Sequence, residues 1–200
     1  MNNYKQMDKN NIKFSDKVML IDAALIEKVA SDFRRHFSNI LSRELPKADL
    51  ALFLECIALE SGITSGNNSF QVLFVYDSNC EKLNSFTPSL LKDEIDSMAF
   101  KSNLGEFSLF SFQPSDMVTR EELFNESMKV VLDSSDVKSA IIIPSEELTN
   151  DEISETVSKV DGKENIYFFG MNPLSLPKSA KWETMGYALM KALGVKADEL

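Results

Sequence analysis

The sequence predicts an α/β domain of three layers, a mainly parallel five-stranded sheet with helices on both faces. Three observations predict it. Five short segments rich in Val, Ile, Leu and Phe recur along the chain, and longer segments with apolar residues every three to four positions separate them; that alternation is the mark of βα units. Several of the short segments are apolar at consecutive positions, as expected of strands covered on both sides.

The strands are expected at residues 17–21, 71–76, 107–112, 139–143 and 165–169. Residues 24–41 follow the first as a helix, with Leu25, Val29, Phe33, Phe37, Ile40 and Leu41 along one side. Pro46 is expected to open a second helix carrying Leu50, Phe53, Leu54, Ile57 and Ala58, with Gly62 as its stop. The Gly/Ser/Asn-rich segment 62–69 reads as a surface loop. After the second strand, Thr87-Pro88 is expected to start a helix with Leu90, Leu91, Ile95, Met98 and Ala99 inward, ending near Gly105. Ser115, Asp116 and Thr119 are candidate caps for the next helix, whose first turn carries Glu121 and Glu122 and whose buried stripe is Leu123, Met128, Val131 and Leu132. Thr149 and Glu152 have capping-box spacing for a short helix at 149–160. The last helix is expected at 180–193, packing Trp182, Met185, Leu189 and Leu193.

No linker or repeat interrupts this order, so residues 17–200 read as one domain behind a polar, Asn/Lys-rich segment, 1–16, expected to be a mobile tail. Hydrophobic residues at 44% and charged residues at 26% are a globular balance, sufficient for a buried core in 200 residues. The longest apolar runs are strand-length, and no membrane span is expected. Two cysteines outside any CxxC pair, a single histidine and a polar N-terminus without a secretory signal point to a reduced, cytoplasmic protein without structural zinc. The formal net charge of −10 disfavours nucleic acid as a partner, because no basic patch offsets it.

Signatures for dinucleotides, P-loop phosphates and esterase nucleophiles are missing: the chain has no GxGxxG, GxxxxGK[ST] or GxSxG. His36 falls inside the first helix without a nucleophile near it in sequence, and reads as a surface or partly buried histidine rather than a catalytic base. What remains is a set of acids at strand ends: Asp22, Asp77, Glu146 and Glu147. Parallel strands bring their C-termini to one edge, where carboxylates can converge on a hard cation such as Mg²⁺ or Mn²⁺. The alternative is that each acid caps a helix or satisfies a turn.

The run Leu20-Ile21-Asp22, the helix segment Asp49-Leu50-Ala51-Leu52-Phe53-Leu54, Val75-Tyr76-Asp77, the helix through 123–128, the strand and turn at 140–147 and the closing Ile166 to Gly170 together resemble the NYN group of PIN-like domains, over about three quarters of the chain. The resemblance implies a doubly wound, Rossmann-like fold and, where active, a metal-dependent ribonuclease. It implies Asp22, Glu126 and Glu146 as catalytic and metal-ligating acids, with Asp77 and Glu147 as further ligands, and Mg²⁺ or Mn²⁺ as cofactor. The family's early asparagine falls on Leu25, its Ser-Gly-Asp-x-Asp turn reads Pro144-Ser145-Glu146-Glu147-Leu148, and the aspartate at the start of its fourth helix falls near Arg120, a charge reversal.

Three functions follow as expectations: a catalytically degenerate PIN-like domain acting as a binding or regulatory module, an active metal-dependent nuclease or phosphohydrolase, and an unrelated α/β interaction domain. For the third, a protein partner or a homo-oligomer would use the C-terminal helix and the apolar residues Met171, Leu174 and Leu176.

Overall fold

The computed structural model describes residues 13–115 and 117–199. In chain order the elements are β1 (Lys17–Asp22), α1 (Ala23–Ile40), β2 (Ala48–Asp49), α2 (Leu50–Glu60), β3 (Asn68–Val75), β4 (Phe86–Thr87), β5 (Met98–Ser102), β6 (Gly105–Phe112), α3 (Arg120–Asp133), β7 (Ser139–Ile143), α4 (Asn150–Ser158), β8 (Asn165–Gly170), β9 (Lys181–Thr184) and α5 (Gly186–Ala192). The main sheet has seven strands in the order β5-β6-β3-β1-β7-β8-β9, and β2 pairs with β4 in a separate two-stranded piece. All neighbours in the main sheet are parallel except β5 with β6.

The strands bury opposite faces at a period of two. In β1, Met19 and Ile21 enter one core and Val18 and Leu20 the other; β3, β7 and β8 divide their side chains the same way. Helices α1, α2 and α5 cover the first face, and α3 and α4 the second. The expected three-layer α/β arrangement is therefore present, and the five expected strands are its β1, β3, β6, β7 and β8.

The sheet is larger than the five strands expected, and both additions come from segments whose apolar spacing suggested helix. After Pro88 only one π-helical turn forms, Leu91–Ile95. Residues 98–102 then run antiparallel to β6 through a two-residue turn, with Phe100 stacked on Phe107 at 4.7 Å and Phe107 on Phe70 at 4.1 Å between ring centroids. Gly105 permits this hairpin: its φ is +144°, and a Cβ there would sit 2.1 Å from the Asn68 carbonyl oxygen. At the other edge, residues 181–184 extend along β8 with Trp182 opposite Phe168, and the last helix begins only at Gly186. In each case the edge of an existing strand satisfies backbone N–H and C=O groups that a short helix would leave open at its ends.

Two other boundaries move. Pro46 does not open α2; Asp49 caps it, its Oδ1 accepting from the Leu52 N–H at 3.1 Å. Of the expected mobile tail at 1–16, residues 1–12 lie outside the described residues, whereas 13–16 are docked. Phe14 is buried in the second core, the Ser15 N–H donates to Gln71 Oε1 at 3.0 Å, and the Asp16 carbonyl accepts from the Lys138 and Ser139 N–H groups. Among the described residues no helix is long and apolar enough to cross a membrane.

The connections define where a site belongs. From β1 the chain leaves over the first face through α1, while from its neighbour β7 it leaves over the second face through α4. Adjacent parallel strands whose following helices depart on opposite faces leave a crevice at their C-terminal ends, the usual ligand position of a doubly wound sheet.

Candidate functional site: an arginine among strand-end carboxylates

Sheet parity places the first two acids. Asp22 stands two residues beyond Leu20 and Asp77 two beyond Val75, so both belong to the face that α3 covers. Helix α3 is held there by a complete capping box: Thr119 Oγ1 accepts from the Glu122 N–H at 3.1 Å and Glu122 accepts from the Thr119 N–H at 2.8 Å. Arg120, the first residue of that helix, is thereby aimed at the strand ends.

Its guanidinium sits among four carboxylates. Nε lies 2.9 Å from Asp22 Oδ2, one terminal nitrogen 3.3 Å from Asp77 Oδ2, and the other 3.0 Å from Glu121 Oε1 and 3.3 Å from Glu147 Oε2. The Arg120 side chain is 10% exposed and that of Asp22 1%. Asp22 Oδ1 also caps α1, accepting from the Leu25 N–H at 2.8 Å. The Nε to Oδ2 contact is close but poorly aligned, and neither atom has a hydrogen-bond partner among the described residues; the pair is held by charge more than by a directed bond. Burial therefore dominates: desolvation outweighs the attraction of Arg120 and the Leu25 amide, and pushes the Asp22 carboxyl up to about 6. Glu147 goes the other way. It accepts a short hydrogen bond from the Ser145 hydroxyl, which with Arg120 holds its carboxyl below the usual range.

The remaining expected acids are elsewhere. Glu126 lies six residues beyond Arg120, about 9 Å along the helix axis at 1.5 Å per residue. It accepts from Lys129 Nζ at 2.9 Å beside a groove of about 400 Å³ lined by Leu20, Leu73, Phe110 and Val130. Glu146 turns toward α1 and pairs with Lys28 at the surface. Of the trio Asp22, Glu126 and Glu146, only Asp22 belongs to the arginine cluster; the acids that join it are Asp77, Glu121 and Glu147. The metal site that the PIN-like resemblance implies is thus not matched by the residues present. Arg120 fills the space where the carboxylates converge, and among the described residues no group of three or more His, Cys, Asp and Glu is placed to hold a metal ion.

Arg120 itself was legible only as a sign reversal, and Ser145 carried no signal; both acquire their roles through contacts more than twenty residues distant in sequence or through a turn whose shape the residues alone do not specify. His36 is exposed and packs edge-on against Phe37. Met171 is exposed, while Leu174 and Leu176 pack partly buried on the second core. Cys56 and Cys80 are both free thiols.

Fold and site together define a doubly wound α/β domain whose strand-end carboxylates gather around an internal arginine. The chain belongs to a family of unknown function, DUF6621, whose model matches residues 11–200. No curated protein matches it, and no solved structure does.

Proposed function

We propose that this chain is a catalytically degenerate PIN-like domain that serves as a binding or regulatory module. The observation that carries the reading is Arg120, whose guanidinium is surrounded by Asp22, Asp77, Glu121 and Glu147 at the C-terminal edge of the sheet. A divalent cation drawing on those acids would have to displace a side chain that is itself nine-tenths buried. The altered turn supports the same reading. Glu146 stands where the family's turn carries its first aspartate and the apolar Leu148 where it carries the second, and a carboxylate moved by one methylene leaves a site that tolerates errors of only about half an ångström. The net charge of −10 favours a protein or small-molecule partner over nucleic acid.

The test is direct. The purified chain, incubated with single-stranded RNA and either Mg²⁺ or Mn²⁺, is expected to leave the RNA intact and to show no saturable Mn²⁺ binding. Robust metal-dependent cleavage that Asp22→Ala abolishes would establish the active nuclease instead.

A further inference from the structure

Beside the arginine cluster, at the C-terminal ends of β7 and β8, lies a second cleft of about 350 Å³. That volume falls in the range of small-ligand sites, and the position is where a doubly wound sheet leaves its loops to form one. Its walls are apolar and come from both faces of the sheet: Leu25 and Phe169 from the first core, Leu148, Ile153, Leu174 and Trp182 from the second. Among the described residues the polar side chains lining it are Ser145, Glu146, Asn172 and the indole of Trp182, so its one charged side chain is a carboxylate. Glu146 is half exposed, and its partner Lys28 reaches it from outside the lining.

A second observation is independent of that charge. The indole Nε1 of Trp182 is buried and has no acceptor among the described residues. It lies just behind Gly170, a lining residue of the cleft: a Cβ on Gly170 would stand 3.6 Å from it. A buried donor without a partner costs free energy, which a ligand acceptor in the cleft would recover.

We infer that this cleft binds a small amine with an apolar body and a hydrogen-bond acceptor, the apolar part against Ile153, Leu174 and Trp182, the ammonium at Glu146 and the acceptor at the Trp182 N–H. An amino-acid amide has this chemistry; an anion of the same size meets Glu146 with the wrong sign. The inference does not depend on whether the neighbouring carboxylates hold a metal, and RNA cleavage would leave it standing.

Trp182 is the sole tryptophan of the chain, so the unmodified protein reports on the cleft. Phenylalaninamide, titrated into the full chain, is expected to give a saturable change in tryptophan emission and to move the single indole N–H resonance in an NMR spectrum. N-acetylphenylalanine, which has the ring and carbonyl but carries a carboxylate and no ammonium, is expected to do neither. Glu146→Gln, a change at a half-exposed side chain, should weaken the amide about threefold, the scale of a partly solvated ion pair, while the indole shift at saturation persists. The inference is overturned by an indole resonance that does not move, by an equal response to the carboxylate, or by an affinity that Glu146→Gln leaves unchanged.

Discussion

Asp22 and Arg120 form the most consequential pair in the molecule because both are withdrawn from water and neither is ideally satisfied. Breaking such a pair from one side strands the other charge. Arg120→Ala is therefore expected to lower stability by about 3 kcal/mol at pH 8 in urea unfolding, with a smaller loss at pH 5, where Asp22 carries a proton in the folded state. The pH dependence of Asp22 follows from its carboxyl being raised from 3.8 to about 6. A group that binds its proton more tightly when folded stabilises the fold fully below its unfolded value, and loses that contribution as pH rises through its folded value. Wild type should thus lose, relative to Asp22→Asn, on the order of 2 kcal/mol between pH 4 and pH 7. Asparagine is the apt comparison because its side-chain oxygen can still cap α1. Unfolding free energies of the two proteins across that window check the sign: a difference that is flat or grows with pH would mean that Arg120, not burial, governs the carboxyl. Glu60 shares the direction, raised to about 7 by burial and by Glu183.

Helix α3 is the element that delivers Arg120; because caps are a local pattern its start was narrowed to Ser115, Asp116 or Thr119, and the structure selects Thr119, whose side chain and that of Glu122 each bond the other's backbone. Thr119→Ala should cost about 1 kcal/mol, measured as a lower urea midpoint. The box on α4, Thr149 with Glu152, was readable for the same reason. The strands β5 and β9 were not. Leu91, Ile95, Met98 and Ala99 have helical spacing, and so do Trp182, Met185 and Leu189. What decides these segments is the open edge of a neighbouring strand, β6 or β8, which lies outside the segment itself. Phe14 illustrates the same limit at the N-terminus, where a lone aromatic in a polar stretch is buried because α3 and the sheet leave room for it.

At the scale of the whole molecule, one sheet separates two cores, and each strand of its centre contributes to both. Phe53 lies wholly buried in the first core and Phe124 in the second. Phe53→Ala and Phe124→Ala should each cost about 3–5 kcal/mol, and, being on opposite faces without shared partners, should add in the double variant. Both are expected to shift one common unfolding transition, seen equally by tryptophan emission and circular dichroism; two separable transitions would show that the faces unfold independently. Period and capping are properties of neighbouring residues, and they were enough to give the α/β class, the five inner strands, much of the apolar filling of the two cores and the capped start of α4. The seven-stranded sheet, the burial of Phe14, the exposure of Ile40 and Met98, the separation of Glu126 and Glu146 from Asp22 and the place of Arg120 among the strand-end acids arise only in the packed chain. Those outcomes depend on which strand edges are left open and on where a helix drops its first residue. They are settled by the meeting of segments far apart in the chain, at a precision of a few ångströms that residue spacing does not encode.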